Sequence, residues 1–466
     1  MANSSTYISR TFTAGDRTKF TLSVWLKRAR LTSGYEKIFQ GRDGSDNYDS
    51  SINFDPTDHI RFESWHNGAY TGGRLHTDRQ FKDTTAWYHL VFIVDTGNVT
   101  ANDRMQIWVN GVRETSFSTD VSATVDSEWY INDAGATNYI GCHSGVTGDV
   151  NCFTGLMSNM NFCDGQVYTP SSFGETDATD GIWKIKTSPS VTYGTNGFFL
   201  KMEDSSNMDL DSSSNALTFT TTGSLTATKD NPSNNFCTLN PGKRSNGSTY
   251  TFSNANTKYS TSGGSGWYQS GGSISATKGK YYYEIDVTTY SSGSSLGQYG
   301  WGAVDMQQIT LDLTNPLGKL DTSGGSIVKY APLAGFYDTG ALMFSTTSSQ
   351  DNQTNSYFTA VTGSCVLMIA VDLDNGRFYV GKDGTWDTTS SSDPSAGTGG
   401  YSFTPGGFNF TPVFAAYGGN TMTVNFGNGY FGSTAIGSPV SAGEGLWKYT
   451  PPTNYGAFCT KNINAA

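Results

Sequence analysis

The sequence predicts an all-β chain of more than one domain, and three observations carry that prediction. Aromatic residues make up 14% of its 466 residues, with 26 Tyr, 27 Phe and 10 Trp, while charged residues make up only 15%. Gly is abundant, at 55, and mean hydropathy is −0.41. Such a mixture suits strands of aromatic and β-branched residues joined by polar loops, not helices rich in Ala, Leu, Glu and Lys. Several segments also alternate apolar and polar residues with a period of two. At ~100–200 residues per domain the length fits two or three domains, and the aromatic content argues against disorder.

The elements follow in order. Phe20, Leu22, Val24 and Leu26 alternate with Thr21, Ser23, Trp25 and Lys27, which predicts a strand with one apolar face. Short strands are expected at Lys37 to Gln40, Ser51 to Phe54 and His59 to Trp65, with the polar turn Gly41-Arg42-Asp43-Gly44-Ser45 after the first. Trp87 to Asp95 reads as a central strand. Arg104 to Val109 leads into Asn110-Gly111, a hairpin turn of the favoured type, and Val112-Arg113-Glu114 returns. Tyr193 to Leu200 is expected to close this half. Asp204 to Asn215 reads as solvated turns, although acidic loops there and at Asp43 to Asp49 are compatible with calcium; the EF-hand spacing is absent. Thr226 to Arg244, polar and with two prolines, is the expected domain boundary.

In the second half, Gly279 to Val287 and Tyr299 to Val304 read as strands. Cys365 to Val371 is an unbroken apolar run, short enough to be a strand covered on both faces. Asp374-Asn375-Gly376 supplies the positive φ of a hairpin turn, Arg377 to Gly381 runs back, and Lys382-Asp383-Gly384 turns again before Trp386. Phe410 to Tyr417 and Thr421 to Gly427 complete the set. The tail from Gly443 to Ala466, with Trp447, Tyr449 and Pro451-Pro452, is expected to pack back on the body or on a neighbouring subunit. No short period recurs, so neither a solenoid nor a propeller is expected.

Two resemblances sharpen this outline. FTLSVWLK, WYHLVFIVD, MQIWVNGVRE, NYIGCHSG and FTGLMSNMNFCDGQVYTPSSFGE, in that order, resemble a concanavalin A-like (laminin-G) jelly roll. The match rests on Trp87 with His89, on Asn110-Gly111 and on Phe153-Thr154-Gly155. GKYYYEIDV, YGWGAV, CVLMIAVDLDNGRFYVGKDGTW, FTPVFAAY and TVNFG resemble a SPRY domain, a bent β-sandwich that binds partners through its loops and carries no catalytic residues. The expected organisation is a jelly roll at 1–225, a linker at 226–247, a SPRY-like sandwich at 248–440 and a tail at 441–466.

DNPSNNFCTLNP, the Asp164-Gly165-Gln166 and Pro170 to Glu175 pieces, and Tyr449-Thr450-Pro451-Pro452 resemble segments of virion proteins of tailed phages from marine hosts. That resemblance implies an exposed virion component, either a tail-fibre adhesin or a capsid decoration protein. Its partners would be other virion proteins and a host-surface glycan, and a trimer would be the typical assembly. No coiled-coil heptad is visible to enforce one.

Charge narrows the function classes. The formal net charge is −11 and no Lys/Arg cluster forms a basic groove, so nucleic-acid binding is not expected. Lys27-Arg28-Ala29-Arg30 is read as capping and solvating a strand end. No run approaches the ~18 apolar residues of a membrane span, so no membrane insertion is expected. Met1 to Ser5 lacks the basic and apolar regions of a secretory signal, so synthesis in the cytoplasm without a cleavable signal is expected; the phage resemblance implies a host cell and a place on the virion surface. None of the six Cys residues is in C-x-x-C spacing. Cys142, Cys152 and Cys163 read as buried thiols.

No catalytic constellation assembles from the sequence. Laminarinase-type enzymes place acids as Glu-x-Asp-x-x-Glu on one strand. The nearest approach, Glu284-Ile285-Asp286, has Thr289 at the third acid's position and reads as a strand pair on a solvent face. His59, His66, His76, His89 and His143 show no H-E-x-x-H spacing, and His89 reads as structural. No catalytic residue, metal site or resident cofactor is therefore expected. Recognition is the expected function, with a polysaccharide depolymerase on the jelly roll or a pure assembly protein as alternatives. Exposed aromatics on polar loops stack on sugar rings. The candidates are Trp65 and Tyr70, beside His66, then Trp129 and Tyr130, then Trp267, beside Tyr268, and Trp386.

Overall fold

A computed structural model describes residues 6–31, 34–42, 48–142, 151–244, 250–261, 267–289, 297–303, 333–337, 342–346, 349–354, 358–361, 363–417 and 421–466. The side chains of 243–250, 261–269, 288–357 and 415–420 lie outside that description. The fold is all-β, in two compact units, Met1–Ala227 and Thr228–Ala466. Among the described residues no helix is long and apolar enough to cross a membrane.

In the first unit two antiparallel sheets enclose a core. Eight described strands form one sheet, in the order Phe117–Val121, Arg74–Gln80, His59–His66, Tyr48–Phe54, Glu36–Arg42, Thr137–Ile140, Tyr7–Thr11 and Thr220–Thr222. The other runs Phe198–Leu200, Gly155–Asp164, Lys19–Arg28, Tyr88–Asp95, Met105–Val109 and Val112–Arg113. Phe20, Leu22, Val24 and Leu26 meet Ile52, Phe54, Ile60 and Phe62 in the core, as period-two alternation requires. Asn110 and Gly111 have φ of 48° and 81°, the two positive values of a type I′ hairpin. Of the closing strand expected at Tyr193 to Leu200, only Phe198–Leu200 is extended and paired.

Three local expectations are corrected in this unit. Arg28 caps no solvated strand end. Its side chain is fully buried, and Nη2 lies 2.7 Å from Glu36 Oε2 while Nη1 lies 2.9 Å from Asp58 Oδ1. Nη1 also donates to the Phe81 carbonyl at 2.7 Å, and the guanidinium lies 4.4 Å over the Phe54 ring. Burial pushes the Glu36 carboxyl up, against the pull of Arg28. Cys142 and Cys152 form a disulfide, whereas Cys163 is a buried thiol. The Phe153 N–H donates to the Gly141 carbonyl, and this contact brings the two half-cystines together. Finally, the outward side of the Lys19–Arg28 and Tyr88–Asp95 pair is also covered, because Val91, Ile93, Cys163 and Phe173 cluster there with Tyr168 and Tyr193.

The second unit has two further sheets. One runs Leu239–Arg244, Trp267–Gly272, Phe410–Tyr417, Gly297–Ala303, Leu333–Tyr337, Leu342–Thr346 and Ser349–Thr354. The other has as its main path Tyr250–Ser253, Lys258–Thr261, Thr421–Asn425, Lys280–Thr289, Cys365–Asp372, Arg377–Lys382 and Thr385–Trp386. Of the 226–247 stretch expected as a linker, Phe236, Cys237 and Leu239 are buried in this unit, and Leu239–Arg244 is an edge strand. Every residue of Cys365–Asp372 is buried. Leu367, Ile369 and Val371 face the inter-sheet core with Tyr283, Ile285 and Phe414. Met368 and Ala370 face the opposite way, onto Trp447, Tyr455 and Ala457 of the tail. The hairpin turns at Gly376, whose φ of 62° leaves no room for a Cβ, since one would meet the Phe403 carbonyl oxygen at 1.9 Å.

The tail therefore packs on its own body, and it does so through Glu284. This carboxylate is fully buried, not on a solvent face. It accepts the backbone N–H groups of Lys448 and Tyr449 at 2.9 and 2.8 Å, the Asn425 amide at 3.0 Å and the Tyr282 hydroxyl at 3.0 Å. Asp286, two residues on, faces the same side by strand period. Glu284, half of the pair that resembles a hydrolase motif, holds the tail down.

Two outcomes follow from these buried charges. Arg28→Ala leaves Glu36 and Asp58 uncompensated and is expected to destabilise the first unit by about 3–5 kcal/mol in urea unfolding; a loss below about 1 kcal/mol would contradict the role given to the cluster. Glu284→Ala orphans two part-buried N–H groups, each at the low end of about 1–3 kcal/mol. It is expected to free the tail selectively, seen as faster tryptic cleavage after Lys448 and red-shifted Trp447 emission. An unchanged cleavage rate would refute the tether.

Candidate functional site

The outward side of the eight-stranded sheet carries an ordered polar array. Strand period two sends alternate residues of adjacent strands to the same side. On the core side Phe39, Ile52, Phe62 and Leu75 pair across the strands. On the outward side Arg42, Asp49 and Trp65 form one row. Gln40, Ser51, Glu63 and Arg74 form the next, and Lys37, Asn53, Arg61 and His76 the third.

These rows are linked by side-chain contacts. Lys37 Nζ donates to Ser51 Oγ at 3.0 Å, and Gln40 Nε2 donates to Asp49 Oδ1 at 3.0 Å. Trp65 and Tyr70 pack edge to face with ring centroids 4.7 Å apart, and the Arg74 guanidinium lies 4.6 Å over the Tyr70 ring. Arg61 Nη1 donates to the Tyr35 hydroxyl at 2.8 Å, and its guanidinium lies 5.1 Å over that ring. Glu63 Oε2 and Arg74 Nε are 3.1 Å apart but misaligned for a hydrogen bond. Both of these atoms are buried, while each side chain keeps a partly exposed remainder. Burial raises the Glu63 carboxyl, with Arg74, Lys37 and Arg61 opposing. Burial likewise raises the Tyr70 phenol.

Beside Arg61 the array ends in Asp55, His59 and His76. Among the described residues this is a group of ligand-type side chains whose donor atoms all lie within 4.8 Å of one another. Burial lowers the His76 ring, and the neighbouring Asp55 pulls it back up.

The structure sorts the aromatic candidates. It brings Trp65 and Tyr70 together on this face, half-buried. Trp129 is displaced from the candidate set: it is fully buried in the core, against Phe20 and Phe62 at 5.6 and 4.8 Å. Tyr130 stacks on Tyr48 at 5.5 Å, away from Trp65 and Tyr70 in its contacts. Trp386 is half-buried and packs with Tyr282 at 6.2 Å and the tail cluster, so it does not project from its turn. Trp267 lies on an edge-adjacent strand, and its side chain is outside the described set, as is that of Tyr268. Residues 43–47 of the acidic loop and His143 are also outside the described residues. Within Asp204 to Asn215, Asp204 accepts from Ser206, and Asp211 accepts the N–H groups of Phe199, Ser213 and Leu217, so both carboxylates hold turns. Sequence reasoning missed Tyr35, Arg61, Glu63 and Arg74. The available signal was the alternation of His59, Arg61, Glu63 and Trp65 with the apolar Ile60 and Phe62.

Residues 2–170 match the family model described as Concanavalin A-like lectin/glucanases superfamily, and the first unit carries a domain of that laminin-G type. No curated protein matches the chain at a significant level. Among solved structures, the SPRY domain of human HERC1 is similar at 11% identity, covering 40% of this chain and 96% of that one with a TM-score of 0.27. Mouse laminin alpha1 chain, domains LG4-5, is 9% identical over 96% of this chain and 92% of that one, with a TM-score of 0.27. Carbohydrate binding module CBM66 from Bacillus subtilis is 10% identical over 38% and 88%, with a TM-score of 0.23. At such identities none of these structures carries a ligand over to this chain.

His89 occupies a different place, between Trp25 and Trp183, stacked at 4.7 and 5.9 Å. Trp183 Nε1–H donates to its Nδ1 at 2.9 Å, which leaves Nε2–H to face Ser23 Oγ at 2.8 Å. Burial drives its pKa down to about 3 from an ordinary 6.5. The folded state thus keeps the ring neutral where the unfolded chain takes up a proton. The associated stability is present above pH 6.5 and is lost as pH falls toward 3. Between pH 7 and 5 this one group is expected to remove roughly 2 kcal/mol. Urea unfolding of the wild type should show that decline, and His89→Gln, less stable at pH 7, should show a shallower one. Equal slopes would contradict the assignment.

Proposed function

We propose that the first unit binds a glycan at the Trp65–Tyr70 end of the outward side of its eight-stranded sheet, and that the chain is a recognition component exposed on a virion. The observation that carries the binding reading is the convergence of Trp65, Tyr70, Glu63 and Arg74. An aromatic pair offers an apolar face to sugar C–H groups, and the partly exposed Glu63 and Arg74 side chains beside it offer hydrogen bonds to hydroxyls. Lys37, Arg61 and Arg74 are matched by Asp49, Asp55 and Glu63, which favours a neutral, hydroxyl-rich ligand over a polyanion. The family match on residues 2–170 is consistent with sugar recognition.

The virion reading rests on the resemblance of residues 230–241 and 449–452 to phage virion proteins, and the Cys142–Cys152 disulfide suits life outside a reducing cytoplasm. Neighbouring virion proteins and a host-surface glycan are the partners this reading implies. In the second unit Glu284, the strand acid nearest a hydrolase motif, spends its oxygens on the tail, which removes it as a catalytic carboxylate there.

A glycan array followed by calorimetry on the full chain tests the reading. Trp65→Ala and Arg74→Ala are each expected to weaken binding about tenfold or more, equivalent to roughly 1.4 kcal/mol, while Trp386→Ala leaves it unchanged. Failure of the wild type to bind any neutral glycan, or equal affinity in Trp65→Ala, would sink it. Reducing-end release on incubation with a bound polysaccharide would favour the depolymerase instead.

A further inference from the structure

We infer that Asp55, His59 and His76 form a binding site for a divalent transition-metal ion. The three come from consecutive strands: Asp55 follows Tyr48–Phe54, His59 opens the next strand, and His76 lies on the strand after, in register with Arg61. Their donor atoms already converge. His59 Nδ1 is 3.6 Å from Asp55 Oδ1, and His76 Nε2 is 2.9 Å from Asp55 Oδ2. All three donors lie within 4.8 Å of one another. Ligands of a tetrahedral ion with bonds of about 2.0–2.2 Å stand a little over 3 Å apart, so the imidazoles close in and the ion displaces the Thr57 Oγ contact that His59 Nδ1 makes at 2.9 Å, moving that ring's proton to Nε2.

The cluster is also preorganised. Asp55 Oδ1 accepts the N–H groups of Thr57 and His59 and the Thr57 hydroxyl, at 2.8, 3.1 and 2.8 Å. The turn between Asp55 and His59 passes through Asp58, whose φ is 70° and whose carboxylate is pinned by buried Arg28. On the far side of the His76 ring, Ser118 Oγ lies 3.0 Å from Nδ1. That contact aims Nε2 at Asp55, the outer support that metal-binding imidazoles ordinarily have. When an ion replaces the His76–Asp55 hydrogen bond, a neutral ring shifts its proton from Nε2 to Nδ1, where the Ser118 oxygen accepts it.

The donor set chooses the metal. Two imidazoles and one carboxylate suit Zn²⁺, Ni²⁺ or Cu²⁺, whereas Ca²⁺ and Mg²⁺ prefer oxygen ligands. Arg61 is the opposing charge, with Nε 3.5 Å from Asp55 Oδ2. Its Nη1 hydrogen bond and ring contact with Tyr35 give the guanidinium a second anchor. The inference does not depend on glycan binding.

The test uses the full chain, stripped with EDTA and titrated with Zn²⁺ by calorimetry. One equivalent is expected to bind, unaffected by millimolar Ca²⁺. His59→Ala and His76→Ala should each weaken binding at least tenfold, and Ser118→Ala by about tenfold. Cu²⁺ electron paramagnetic resonance should show superhyperfine coupling to two nitrogens in the wild type and to one in either His variant. Circular dichroism without metal checks that the variants fold; the His59 ring is at the surface edge of the cluster, with 20% side-chain exposure. Absence of stoichiometric Zn²⁺ binding would overturn the site, as would unchanged affinity in both His variants or a copper spectrum with the same nitrogen count throughout.

Discussion

The first unit depends on one buried cation. Arg28 ends one of the two ten-residue inner strands of the six-stranded sheet and reaches across the sandwich to Glu36, Asp58 and the Phe81 carbonyl. Each contact fixes a different piece of the opposite sheet: the start of Glu36–Arg42, the turn before His59–His66, and the residue after Arg74–Gln80. Those are the strands whose outward residues make the polar array. A buried ion cluster of this kind contributes little net stability over an apolar substitute, but it punishes misregister severely, because any slip leaves a charge unpaired in a dry core. With side chains alternating every residue, a slip by one would also turn Arg61, Glu63 and Trp65 into the core. Fixing the register is thus what makes the outward rows possible.

The second unit solves a related problem with a carboxylate. Its central strands, Lys280–Thr289 and Cys365–Asp372, need cover on both faces. One face receives the other sheet. The second receives the chain's own end, with Trp447, Tyr455 and Ala457 on Tyr282, Met368 and Ala370. The tail approaches with free N–H groups, and a buried acceptor is needed where they land. Glu284 supplies it, with burial raising its pKa and the donors of Lys448 and Tyr449 opposing.

Much of this architecture was legible because it is local. Alternation at Phe20 to Leu26, the Asn110-Gly111 turn and the unbroken run at Cys365 declare strands and hairpins within a few residues. What was not legible depends on partners distant in sequence. Arg28 looks like a strand-end charge until Glu36, Asp58 and Phe81 surround it. Glu284 looks like half of a hydrolase motif until residues 448 and 449 return to it. Trp129 follows a polar turn and looks displayed, yet it fills the core against Phe20 and Phe62. The outward array was half visible: the two aromatics were singled out, but the charged residues between them carried no sequence motif. Only cross-strand register places Glu63 beside Arg74 and Arg61 beside His76.

Register also explains why one sheet side carries both the aromatic pair and the histidine cluster, the two places where a ligand is proposed. Along His59–His66 the outward residues change from His59 through Arg61 and Glu63 to Trp65, so the surface passes from nitrogen ligands through charge to aromatic carbon over a single strand. Residue spacing of about 6.6–6.8 Å between alternate positions keeps these regions separate yet adjacent. Arg61 stands between them, drawn toward Asp55 on one side and held by Tyr35 on the other. Charge placed on Asp55 is therefore felt by Arg61, whose row is separated from that of Trp65 by the row of Glu63 and Arg74.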